Sequence, residues 1–167
     1  RPSFRKGKQN VVSLLQVSTL DICFLFRLNY TGMTPHIIRL LEDERVAKVG
    51  LSLHDDVLSL HKRCDFKPGN FIDLQNHIKE LGIEDLGLQK LYANVFGQKI
   101  SKAQQLSNWE ADMLNDKQKL YAATDAWACL MLYNEFIRLR DTGDYTLNIV
   151  ETQKHENDDN DDMDGNQ

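Results

Sequence analysis

Long hydrophobic runs are absent from this sequence. None approaches the roughly 20 apolar residues that a bilayer-spanning helix needs, and no stretch joins a basic start, an apolar middle and a small-residue cleavage site. A soluble, unexported domain with no membrane partner is the expectation that follows. Cysteine is scarce too. Cys23, Cys64 and Cys129 are odd in number and widely scattered, which fits neither a disulfide framework nor paired zinc ligands, so the expected location is the reducing cytoplasm. Nor is there an excess of positive charge to advertise a nucleic-acid ligand, since the formal net charge is −5. That total conceals a segregation: residues 151–167 carry seven acids against the single base Lys154, and subtracting their −6 leaves residues 1–150 at +1. Attraction to phosphates depends on where the cations sit, so the acidic total excludes nothing.

What is present divides the same way. Residues 151–167 have almost no apolar side chain with which to offset the entropy of ordering, and are expected to form an acidic disordered tail. Residues 1–150 hold enough apolar material for one globular domain. Within it, Asn10 to Ser18 and Asp21 to Leu28 are rich in β-branched and aromatic residues and read as a β-hairpin. Thr34 as cap and Pro35 at the first position announce a helix through Asp43. A strand is expected from Val46 to Leu51, a helix from His54 to Lys62, a strand from Asn70 to Leu74, and a helix from Leu86 to Phe96 closed by Gly97. The longest element begins near Asn115, with Gln118 completing a capping-box pair, and runs without Gly or Pro to Gly143. Leu120, Ala123, Trp127, Leu130, Met131 and Asn134 are expected to form its core side. Strands alternating with helices after a hairpin predict an α/β sheet covered by helices.

Two stretches place carboxylates where a site could form: Lys48 to Val57, across a strand end and a helix start, and Leu120 to Ala126, inside the long helix. In the second, Tyr121 and Asp125 are four apart and project from one helical face. A carboxylate that holds a divalent cation beside a hydroxyl that orients water suits metal-assisted hydrolysis. The plainer alternative stays open: Asp125 as a lysine's partner, Tyr121 as cover for the core edge. Asp55 and Asp56 can likewise be ordinary acids of a helix's first turn, favoured there by the macrodipole. Adjacent helical residues diverge by about 100°, so at most one of them points inward.

Taken together, Val49-Gly50-x5-Asp56, then Ser107-Asn108-Trp109, then Gln118-x2-Tyr121-Ala-Ala-x-Asp125-Ala resemble, in order and spacing, the second and third motifs of the DEDDy 3′→5′ exonucleases. This is the group of ribonuclease D and the Werner-type exonuclease domain, and the similarity runs from Arg1 through Leu139. The resemblance implies a ribonuclease H-like mixed sheet flanked by helices. It also implies Asp56 and Asp125 as metal-binding acids, Tyr121 as the water-orienting tyrosine, and two Mg²⁺ or Mn²⁺ ions as cofactors. The substrate it implies is a single-stranded DNA or RNA 3′ end. No zinc-like ligand spacing involves His36, His54, His61 or His77, which are expected at the surface or in caps.

One departure is large. The family's first motif, Asp-x-Glu on a central opening strand, does not occur here; Arg1 to Gly7 looks like the loop that follows it, so those acids are expected just upstream of Arg1. Without them the chain is expected to be inactive or nearly so. Arg1, Arg5, Lys6 and Lys8, with Phe4, form either a phosphate-gripping cluster or a solvated basic loop. Trp109 is expected to pack beneath the site. The rival to an enzyme is a catalytically silent nucleic-acid-binding or scaffold domain on the same fold. An unrelated α/β domain would instead keep Asp56 and Asp125 far apart.

Overall fold

Residues 11–84 and 87–145 are described in the structure, a computed structural model; the basic cluster Arg1 to Lys8 and the acidic tail lie outside them. The expected hairpin forms, shorter than anticipated. Strand β1 (Leu15–Ser18) pairs antiparallel with β2 (Cys23–Phe26), Leu15 opposite Phe26 and Ser18 opposite Cys23. Thr19 ties the turn, its amide donating to the Ile22 carbonyl at 2.8 Å while its hydroxyl oxygen accepts from the amides of Asp21 and Ile22. β2 stops before Leu28 because the chain turns into a four-residue helix, α1 (Leu28–Thr31), which buries Leu28 completely.

Helix α2 (Pro35–Glu42) starts as its sequence dictates, with Thr34 Oγ1 accepting from the Ile37 amide. Strand β3 (Lys48–Gly50) and strand β4 (Phe71–Asp73) pair in parallel, Gly50 opposite Asp73. Parallel partners need a crossover, and helix α3 (Leu53–His61) supplies it. Directly after β4 comes helix α4 (Leu74–Glu80), which the sequence reading did not anticipate. Helix α5 (Leu88–Phe96) ends on the left-handed Gly97. Helix α6 (Asp116–Thr142) opens with the capping box of Asn115 and Gln118 and closes at Gly143.

Among the described residues the strands form two separate two-stranded sheets, β1–β2 and β3–β4. α6 joins them, packing on β1, β2 and β3 and against α4 and α5. One core cluster lies between α4, α5 and α6, around Leu74, Ile78, Leu91, Leu132 and Phe136. A second lies beneath the hairpin, where Leu28, Ile37, Leu41, Leu60 and Phe66 meet.

The expected core side of α6 needs correction. The residues buried are Gln118, Ala122, Ala128, Cys129, Leu132 and Phe136, whereas Leu120 is 69% exposed. This helix has apolar residues around much of its circumference, so periodicity alone does not single out a stripe. The choice falls to the side that meets Leu74, Ile78 and Leu91 of the neighbouring helices.

Candidate active site

The first carboxylate comes from the junction of β3 and α3. Gly50 is buried, and a Cβ there would lie 2.3 Å from a Leu53 methyl carbon, so any larger residue would require the Leu53 side chain to shift. Ser52 follows in a left-handed conformation (φ 58, ψ 45), and α3 starts at Leu53. Asp55 and Asp56 both fall in its first turn. Although the outer edge of Asp56 is open to solvent, protein packed about its carboxyl costs it hydration and raises its pKa, and the charges of Asp55 and Asp73 add to that.

The second comes from the middle of α6. Asp125 is half-buried, and its Oδ1 is enclosed without a hydrogen-bond partner. Loss of hydration raises its pKa, partly countered by a hydrogen bond from the Tyr121 side chain one turn earlier. One turn later on the same stripe, the Cys129 thiol is pushed up to about 12, first by burial, then by the charge of Asp125, with Asp56 and Asp73 contributing in turn. The same thiol therefore lies within electrostatic reach of all three aspartates. Of the adjacent pair on α3, Asp56 is the one felt there.

Trp109 sits on the loop before α6, its ring 6.0 Å from that of Tyr121 and tilted by 36°. That loop is built rather than slack. Gln118, 4% exposed, donates from Nε2 to Ser107 Oγ at 3.1 Å and the Asn108 carbonyl at 3.0 Å, while its Oε1 accepts from the Asn115 amide. Arg27, at the end of the hairpin, donates to the carbonyls of Ala111 and Asp112. Tyr121 is thus backed by an indole on a loop pinned from two sides.

Neither Asp56 nor Asp125 forms an ion pair with a described residue, and no group of three or more His, Cys, Asp or Glu side chains among the described residues is arranged to hold a metal. The enclosed, orphaned oxygen of Asp125 would suit a hard divalent cation better than zinc. Sequence reasoning passed over Asp73 and Arg27. Asp73 carried a legible signal, an acid directly between a short strand and a helix, in the place of an N-cap. Arg27 carried none, because its partners lie more than 80 residues away.

Residues 2–139 match the 3′-5′ exonuclease family. The chain belongs to that family. Among its relatives, the bifunctional 3′-5′ exonuclease/ATP-dependent helicase WRN of Mus musculus is 31% identical over 157 residues, a match covering 90% of this chain and 11% of the mouse protein. The chain likewise spans only 23% of the exonuclease 3′-5′ domain-containing protein 2 of Drosophila melanogaster, with 35% identity over 136 residues. In three dimensions the chain is similar to the Nibbler EXO domain of Aedes aegypti, with a TM-score of 0.72, 23% identity, and coverage of 85% of this chain and 76% of that one. The fold is ribonuclease H-like, as the motifs implied.

Proposed function

We propose that this domain is a metal-dependent 3′→5′ exonuclease that hydrolyses phosphodiester bonds at single-stranded nucleic-acid ends by a two-metal mechanism. The observation that carries the reading is Asp125 in a chain of the exonuclease family, with an orphaned buried oxygen and the Tyr121 hydroxyl beside it. Asp56 and Asp125 are the metal-holding acids. Bound Mg²⁺ or Mn²⁺ would supply charge to polarise the scissile phosphate and acidify the attacking water. Tyr121, whose hydroxyl proton is committed to Asp125, keeps its oxygen lone pairs for a water and orients it for in-line attack. The indole of Trp109 limits where that phenol can swing.

Two aspartates are too few for two ions, which share about three or four carboxylates in such sites. Further acids must join them, of the kind that the family's first motif, Asp-x-Glu, would supply. Residues 1–167 alone are then inactive or nearly so. Magnesium suits the reading, since the related fold of Brucella melitensis NrnC has been solved with bound Mg²⁺. The experiment is digestion of 3′-labelled DNA and RNA strands by the full-length protein with and without Mg²⁺ or Mn²⁺. Cleavage should need the metal and fall at least about 100-fold in Asp125→Asn. Undiminished cleavage by that variant removes Asp125 from the site, and strand binding with no cleavage under any metal points to a silent binding domain.

A further inference from the structure

Asp73 has no part in the reaction above, yet its carboxylate makes more hydrogen bonds than either of the acids assigned to the metals. Its Oδ1 accepts from the Ser52 amide at 3.0 Å and from the Gln75 amide at 3.0 Å, and its Oδ2 accepts from the Leu53 amide at 2.9 Å. The side-chain amide of Gln75 donates to Ser52 Oγ at 2.8 Å. These bonds converge on a residue that needs holding. Ser52 is left-handed, a conformation that L residues other than glycine adopt only when the surroundings impose it. Asp73 is itself anchored, since it faces Gly50 across the parallel pair and begins α4. A rigid path therefore runs from β4 through one carboxylate to the first two residues of the turn from which Asp56 is carried.

We propose that Asp73 is a positioning residue: by locking the left-handed turn at Ser52 it sets where Asp56 stands relative to Asp125. This rests on the reading of those two acids as the metal holders. A simple helix cap would need only the bond to Gln75; the two bonds to Ser52 and Leu53 reach back across 20 residues to the other element. A metal ligand would need open lone pairs, and three of the roughly four on this carboxylate are committed to amides.

The test uses the full-length protein as wild type, Asp73→Asn, Ser52→Val and the double variant Asp73→Asn with Ser52→Gly. It measures kcat, KM, the Mn²⁺ concentration for half-maximal rate, Tm, and hydrogen exchange at the amides of Ser52 and Leu53. In Asp73→Asn, kcat should fall about 10- to 100-fold and the metal midpoint rise, with KM for the oligonucleotide little changed. Exchange at Ser52 and Leu53 should quicken. Glycine at 52 accepts positive φ without strain, so the double variant should recover much of the lost kcat. Ser52→Val opposes the same turn without touching Asp73, and should reproduce the raised metal midpoint even if Asp73→Asn fails to fold. A lowered Tm with kcat and metal midpoint unchanged overturns the proposal in favour of a plain cap. Activity lost beyond rescue by glycine overturns it in favour of a direct ligand. Should the wild type cut nothing, the nuclease reading fails by itself, and unchanged exchange at Ser52 and Leu53 would still refute the clamp.

Discussion

Asp125 holds its carboxyl at a point where protein has displaced water, and the hydrogen bond from Tyr121 compensates this only in part. The pH dependence follows with a definite sign. A carboxyl whose folded pKa lies above its unfolded value binds its proton more tightly in the native state, so its contribution to stability is present at low pH and lost as pH rises through the raised folded value. Removing the charge with Asp125→Asn should therefore raise the Tm of metal-free protein at neutral pH. For a gain of about 1 kcal/mol the rise is roughly 2–4 °C in a domain of this size. The difference from wild type should shrink as the pH is lowered from above the raised pKa towards the ordinary value of 3.8, which thermal melts at several pH values will read. Tyr121 makes a separate prediction. Tyr121→Phe keeps the ring beside Trp109 and removes only the hydroxyl, so kcat should drop about 100-fold or more while the metal midpoint stays near wild type. A rate within twofold of wild type would deny the phenol its role in orienting water.

At the scale of elements, the segments with strong local chemistry were legible. Thr34-Pro35 and Asn115 with Gln118 specify their own helix starts through side-chain bonds to nearby amides, and these starts stand where the sequence placed them. α4 escaped notice because its cap, Asp73, doubles as the last residue of a strand and so reads as extended chain. The buried side of α6 was misread for a different reason, since its neighbours and not its own pattern select the face. Gln118 belongs to both categories. Its capping role was visible, whereas its grip on Ser107 and Asn108 required the loop to fold back over the helix start. Gln118→Ala should remove both of those part-buried bonds, at a cost of about 0.5–1.5 kcal/mol each. Faster hydrogen exchange across 107–115 and a lower Tm are the expected readings, and an unchanged Tm would show that the loop is held by Arg27 alone.

For the whole molecule, one helix does the organising. α6 carries Tyr121 and Asp125 and underlies both two-stranded sheets, so the hairpin and the β3–β4 pair are placed relative to the site by packing on a shared surface. Anything that binds only this folded arrangement stabilises it by mass action. In the full-length protein, Mg²⁺ at about 100 times its Kd should add about 2.7 kcal/mol, seen as a rise in Tm that Asp125→Asn abolishes. An equal rise in that variant would place the bound ion elsewhere.

The sequence by itself determined the family, the helix starts with their own caps, and the pairing of Tyr121 with Asp125, because each depends on residues close enough along the chain for spacing to dictate geometry. Only the tertiary structure decided that Trp109 backs Tyr121 and that Asp73 holds the turn before Asp56. Both depend on contacts across β3, β4 and α6 or the loop before it. Which side chains meet there is settled by packing and shared hydrogen bonds, to which a local pattern is blind.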